Sequence, residues 1–225
     1  MRRFSISMLL AVAFAVATTL VVGCREGASG IQVIVFDVGG VLSKDMIDTK
    51  LIDLATSHRL DVDSLLAVKN RYRDPADLGE ISDTEFWVRI LGHFDVPATP
   101  QDTEIDTYIE LVEGTLDIAK SLSRRYRTAI LSNDSREMAA LRRKKFGFDA
   151  VFNPIIISAN VGVKKPDPMI YKVLLETLGI AAHECLFIDN SLDNVEAARS
   201  VGMRAILFDS ALQLREALSE LGIEV

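Results

Sequence analysis

Cysteine is scarce in this 225-residue chain: Cys24 and Cys185 are the two it has. One closes an apolar leader and the other opens an apolar strand, so neither a disulfide framework nor zinc-ligand spacing can be built from them. Cys185 reads as a small buried hydrophobe. A surplus of basic residues is also missing. Lys and Arg number 25 against 32 Asp and Glu, a formal net charge of −7. Such a balance repels polyphosphate backbones and argues against nucleic acid as a partner, while local basic groups remain able to bind a small anion. Internal repeats and low-complexity tracts are absent as well, which removes repeat architectures. What is present is globular composition, 49% hydrophobic and 25% charged, not the composition of a disordered chain. The length suits one domain, or one domain carrying a small inserted module.

The first thirty residues stand apart. Met1-Arg2-Arg3 precedes an uncharged apolar run over residues 4–22 and then small residues, the order of an export signal, and the run is long enough for a membrane anchor. The arginines would stay on the cytoplasmic side and place everything after Cys24 outside. Val21-Val22-Gly23-Cys24 resembles the lipobox of bacterial lipoproteins, in which the cysteine carries lipid. Residues 25–30 would then be a tether reaching at most roughly 20 Å. The competing reading is an overlong start, with the domain beginning near Val33 and remaining cytoplasmic.

Over the rest of the chain, short apolar runs at 31–36, 128–131, 151–157, 185–188 and 205–208 read as buried strands. Such runs suit a parallel sheet covered on both faces. Helical spacing lies between them at 136–146, 169–178, 192–201 and 212–221. The alternation predicts an α/β, doubly wound, Rossmann-like fold. Residues 45–118 break the alternation. Amphipathic spacing at 47–58, 62–73, 82–94 and 103–112, with a capping box at Ser82-Asp83-Thr84-Glu85, predicts a helical bundle inserted as a cap. The expected organisation is therefore a leader at 1–30, a core at 31–44 and 119–225, and a cap at 45–118.

Four motifs carry chemistry. Val35-Phe36-Asp37-Val38-Gly39-Gly40 brings a strand straight into an aspartate and two glycines, where doubly wound folds place ligands and where backbone N–H groups can approach an anion. Leu131-Ser132-Asn133-Asp134 ends a second strand with a hydroxyl and the start of a helix, fit to hold a phosphoryl oxygen or simply to cap. Gly162-Val163-Lys164-Lys165-Pro166 fixes a lysine before another helix. Leu186-Phe187-Ile188-Asp189-Asn190 delivers a carboxylate at a strand end, with Asp193 and Asn194 one turn later, the oxygen donors a hard cation prefers.

In this order the four resemble the motifs of the haloacid dehalogenase superfamily of hydrolases. The match covers nearly all of residues 31–208, and its nearest look is to the branch of sugar-1-phosphate phosphatases and epoxide-hydrolase N-terminal domains, whose cap Gly79-Glu80-Ile81-Ser82 also resembles. The resemblance implies a sheet of strand order 3-2-1-4-5, which would set Asp37 and Asp189 at the ends of neighbouring strands. Two carboxylates so close repel unless a cation lies between them. It further implies that Asp37 attacks phosphorus to form an aspartyl phosphate. Asp37, Gly39, Asp189 and Asn190, with Asp193 or Asn194, would hold Mg²⁺ or orient its ligands. Ser132 and Asn133, with backbone N–H groups of Val38 and Gly40, would bind the phosphoryl group, and Lys165 would neutralise charge on both. The implied substrate is a small phosphate ester. Two alternatives stand beside it: a dehalogenase acting on carbon–halogen bonds, and a non-catalytic binding module.

Gly39 is a departure, because most phosphatases of the superfamily carry there a second aspartate that protonates the leaving group. General acid catalysis contributes about 10²–10⁴ in rate. Its loss points to a good leaving group, to a proton donor from the cap (Glu80, Asp83 or His93), or to slow catalysis. Arg71, Tyr72, Arg73, Trp87 and Arg89 are further cap side chains that would either line the site or pack the bundle, with Trp87 read as core. The sequence leaves the oligomeric state open.

Overall fold

The computed structural model describes residues 30–44 and 46–225. The leader reading, with Cys24 and its tether, lies outside them except for Gly30. No helix among the described residues is long and apolar enough to cross a membrane.

Five strands form one parallel sheet: β1 (Val33–Phe36), β2 (Arg127–Ser132), β3 (Ile155–Ile157), β4 (Cys185–Asp189) and β5 (Arg204–Leu207). Their order is β3-β2-β1-β4-β5, the Rossmann-like order expected. Ten α-helices are described: α1 (Ile47–His58), α2 (Val62–Asp77), α3 (Asp83–Gly92), α4 (Pro100–Thr103), α5 (Thr115–Leu122), α6 (Arg136–Phe146), α7 (Ser158–Val161), α8 (Pro168–Leu178), α9 (Leu192–Ser200) and α10 (Ala211–Glu220).

The sheet sorts its side chains by the two-residue period of a strand. Ile34, Phe36, Ile130, Leu186 and Ile188 point to one face and meet Leu116, Ile118 and Leu122 of α5 and Leu214 and Leu218 of α10. Val33, Val35, Ala129, Leu131, Cys185 and Phe187 point to the other and meet Ile170, Tyr171 and Leu174 of α8 and Ala198 of α9. With both faces dry, the polar ends of the strands are what remains for chemistry. Cys185 is buried, as expected of a small hydrophobe.

Residues of α1–α3 build a second apolar cluster of their own around Leu51, Leu65, Phe86, Trp87 and Ile90. Met138 of α6 joins that cluster, so the helical insert packs on the core at the start of α6. Trp87 is packing, as expected: it is 2% exposed, and the Lys50 ammonium lies 5.0 Å from its ring. The insert is entered and left through paired backbone, with Lys44 N–H donating to Glu110 O at 2.9 Å and Val112 N–H to Leu42 O at 3.0 Å.

Three expectations shift. The helix predicted at 103–112 does not form; a capping box at Thr99 makes the four-residue α4, and Leu111 bridges to Ser43 instead. The third strand is three residues, not seven, because the Val151 and Phe152 N–H groups bond back to Phe148 O and Pro154 has no N–H to give to a ladder. The core resumes at Thr115 and not at 119, since Leu116 already packs on the sheet.

Candidate active site

β1 hands the chain to Asp37 and β4 ends on Asp189. Phe36 lies opposite Ile188 in the register, and the Asp37 N–H donates to Ile188 O at 2.9 Å. The two carboxylates therefore leave the sheet side by side where its strand order reverses, the place such sheets bind ligands. Lys165 joins them. Its Nζ is 2.7 Å from Asp37 Oδ1 and 2.7 Å from Asp189 Oδ2, and all three side chains are buried.

Each member is held in place. Asn133, just past β2, clasps the Lys165 backbone from both sides: its Nδ2 donates to Lys165 O, and its Oδ1 accepts from Lys165 N–H, each at 2.8 Å. Asp189 Oδ1 accepts from the Ser191 N–H at 2.8 Å, and Asn194 Nδ2 reaches both Asp189 oxygens at 3.1 Å. Gly40, at φ +77°, leaves room for Asn190: a Cβ there would lie 2.2 Å from the Asn190 amide nitrogen. The glycine is needed both for its backbone conformation and for that contact.

The charges do not balance, since one lysine faces two carboxylates. Burial pushes the Asp37 carboxyl up to about 6, Lys165 opposing and Asp189 adding to the rise. Burial would lower the Lys165 ammonium, but the two carboxylates outweigh it and hold its pKa above the ordinary lysine value. The cluster is thus short of one positive charge.

Above the cluster lies a hollow of about 250 Å³ lined by Asp37, Gly39, Arg73, Asn133, Arg142, Lys165, Asn190 and Asn194. Of the residues predicted for the site, Asp37, Gly39, Asn133, Lys165, Asn190 and Asn194 meet here, and Asp189 stands beneath. Ser132 is buried at the end of β2 without lining the hollow. Asp193 faces solvent on α9, outside it.

Three predicted contributions differ in kind. The Gly40 N–H donates to Ser43 O at 2.7 Å, closing the turn instead of facing a phosphoryl group. The Val38 N–H bonds to the Asp37 carboxylate. Asn133 spends both ends of its amide on the lysine loop, which makes it a positioning residue. None of the candidate proton donors Glu80, Asp83 and His93 lines the hollow.

A second set of ions lies beside the first, and of its members the sequence named Arg73 alone, as a cap side chain that would either line the site or pack the bundle. Arg142 Nη1 donates to Asp134 Oδ2 at 2.7 Å with both side chains almost fully buried. On α2, Arg73 pairs with Asp77 at 3.0 Å, because that helix runs one turn past its predicted end at residue 73 and sets Asp77 on the same face. Ser158 ties the two: its Oγ donates to Asp77 O and accepts from the Asp134 N–H. The sequence held little signal for this, since Arg142-Arg143-Lys144-Lys145 looks like a solvated basic face.

A family model described as haloacid dehalogenase-like hydrolase matches residues 31–202. The chain belongs to that family. Among curated relatives, a phosphatase of Mycobacterium tuberculosis is 32% identical over 51% of this chain and 57% of its own length. Phosphoserine phosphatase of Thermus thermophilus is 30% identical over 45% of this chain and 41% of its own. The matched stretches thus span roughly half of these relatives. Among solved structures, a HAD family enzyme of Bacteroides thetaiotaomicron superposes with a TM-score of 0.70 at 20% identity, covering 84% of this chain and 98% of that one. The same enzyme in complex with magnesium and inorganic phosphate gives 0.64 at 20%, covering 80% and 95%. At such identity the superpositions establish the fold. The family membership makes the chain a hydrolase of this superfamily.

Proposed function

We propose that the chain is a Mg²⁺-dependent phosphatase for a small phosphorylated metabolite, with Asp37 as the covalent nucleophile. The observation that carries this is the bridge from Lys165 to both Asp37 and Asp189 at the floor of the hollow.

The donor set fits a hard cation. No three His, Cys, Asp or Glu side chains converge among the described residues, so no all-carboxylate cage exists. Two carboxylates with Asn190 and Gly39 alongside suit an ion that binds through one or two carboxylates and keeps several waters. They also carry one negative charge more than Lys165 balances, which a divalent ion more than offsets. Asp37 and Asp189 would hold Mg²⁺, which when bound neutralises charge on the phosphoryl oxygens.

The remaining steps belong to the chain. Lys165 holds Asp37 in its ionised form and faces the incoming phosphoryl group. Asn133 fixes the lysine, and Asn194 and the Ser191 N–H fix Asp189. Asp37 attacks in line to give an aspartyl phosphate, and water then releases phosphate. The phosphatase relatives and the magnesium-and-phosphate complex of a structural neighbour support the reading.

Phosphate release from a panel of esters, with and without EDTA, tests it against Asp37→Asn. Halide release that EDTA leaves intact would replace it with the dehalogenase reading. No hydrolysis of any kind, with a biological effect surviving Asp37→Asn, would make the chain a binding module. We also read the leader as an export or lipid anchor; membrane fractionation of wild type against Cys24→Ala tests that separately.

A further inference from the structure

We infer that Arg73 and Arg142 hold the departing group, and that the substrate is a phosphoric anhydride whose leaving group is itself an oxyanion: an organic diphosphate or an acyl phosphate. This deepens the phosphatase reading and rests on it.

Three observations converge on the hollow. The first is what Gly39 leaves open. A Cβ built there meets nothing within 4 Å, and among the described residues Asp37 is the one carboxyl group that lines the hollow. A leaving oxygen therefore finds no acid to protonate it. The second is what the cap sends in. Arg73 is the one residue of the helical insert that lines the hollow among those described. In-line displacement puts the leaving group on the side of phosphorus opposite Asp37. Asp37 comes from the sheet and Arg73 from the cap, so the departing oxygen faces a guanidinium.

The third observation is Arg142. Its side chain is 4% exposed, and it lines the hollow. Asp134 takes one of its nitrogens, but its buried Nε has no hydrogen-bond partner. A buried donor left unpaired calls for an explanation, and an oxyanion in the hollow supplies one. Guanidinium forks match phosphate and carboxylate oxygens bidentately, and they bring charge where an acid would bring a proton.

The chemistry balances without an acid. A carboxylate oxygen of Asp37 bonds to the terminal phosphorus as the bridging P–O bond breaks. The electron pair goes to the bridging oxygen, which leaves as part of a phosphate or a carboxylate. Neither needs a proton to depart, unlike an alkoxide. Water then cleaves the aspartyl phosphate, releasing inorganic phosphate, restoring the carboxylate and giving one proton to solvent.

The bland reading is that both arginines only neutralise Asp77 and Asp134 and latch cap to core. The two separate by substrate. Steady-state kinetics on pyrophosphate, acetyl phosphate and ethyl phosphate would be measured for wild type, Arg73→Met, Arg142→Lys and the pair Arg142→Met/Asp134→Asn, which removes the buried carboxylate charge together with its partner. Arg73 is about a quarter exposed, so its variant is the one least prone to misfold. We expect kcat on an anhydride to fall at least ten-fold further than kcat on ethyl phosphate in Arg73→Met, with KM moving less than kcat. A selective loss on pyrophosphate assigns a phosphate leaving group, and one on acetyl phosphate assigns a carboxylate. Equal loss on all three substrates, tracking a lower melting temperature, overturns the inference and leaves the phosphatase reading standing. Hydrolysis that survives Asp37→Asn overturns the phosphatase reading itself, whatever the arginine variants do.

Discussion

Two buried ion clusters lie side by side in this protein, and they are built to opposite rules. In the first, one lysine serves two carboxylates, Asp37 and Asp189. In the second, each carboxylate has its own arginine: Asp134 with Arg142 and Asp77 with Arg73. Burying charge is tolerated only when it is paired and hydrogen-bonded. The matched cluster balances its charges by itself and holds cap and core in register, with the Arg142 Nε still unpartnered. The unmatched cluster balances only when a further cation arrives. The difference separates a cluster that lacks a cation from one whose charges balance and whose arginines still line the hollow.

Removing one carboxylate from each cluster is the sharpest way to break the comparison. Asp37→Asn should lower kcat by about 10⁴-fold or more, since residues that form the covalent bond carry losses of that order. Its melting temperature should hold or rise, because Lys165 and Asp189 then form a matched pair. Asp134→Ala should do the reverse to stability. It leaves the Arg142 guanidinium buried without its counter-ion, a change that costs about 3–5 kcal/mol. Thermal unfolding of the two variants at one pH checks both. A melting point that falls as far in Asp37→Asn as in Asp134→Ala would erase the distinction between the clusters.

The two clusters were also unequally legible in the sequence. Asp37, Lys165 and Asp189 each stand as a polar residue at the end of an apolar run or before a proline, so position alone marks them. The sheet was legible for the same reason, since its central strands β1, β2 and β4 are buried on both faces and keep most of their polar residues at the strand ends. Arg73 was named without its role being decided, and Arg142 and Ser158 were not singled out, because a basic or small polar residue on an amphipathic helix looks the same whether it faces water or another helix. Only the docking of α2 against α6 and α7 decides that. Asn133 was half legible: its place beside the site follows from the motif, but its clasp on Lys165 joins residues 32 apart. Gly79 belongs with these. Its cap motif looked like a family signature, and its physical basis is close approach, with Arg136 Nη1 donating to Gly79 O at 2.8 Å and no room for a Cβ beside the Ala159 carbonyl.

A smaller effect tests the missing charge directly. Mg²⁺ at 100 times its dissociation constant should stabilise the fold by about 2.7 kcal/mol if it binds only the folded chain. Asp189→Asn should abolish that rise, while Asp77→Asn, which alters the matched cluster, should keep it. Melting curves with and without MgCl₂ read this without any substrate. A rise of equal size in Asp189→Asn would place the cation elsewhere.

The smallest expected effect concerns a carboxylate that belongs to neither pair. Asp83 opens α3, half-buried near Asp134 and Glu137, and accepts a hydrogen bond from Ser135. Burial pushes its carboxyl up to about 6, and the two acidic neighbours add to the rise. A carboxyl raised in the folded state adds stability only while it is protonated. That contribution is complete below the unfolded pKa of about 4 and is lost as pH rises through about 6. Above pH 7 the ionised form therefore weighs on the fold by about 1–3 kcal/mol. Asp83→Asn retains an acceptor for Ser135 and removes the charge. It should raise the melting temperature at pH 8 by about 2–4 °C for each kcal/mol relieved, and the gain should vanish at pH 4. A gain that persists unchanged at pH 4 would mean that packing at the cap–core seam, and not charge, limits the stability there.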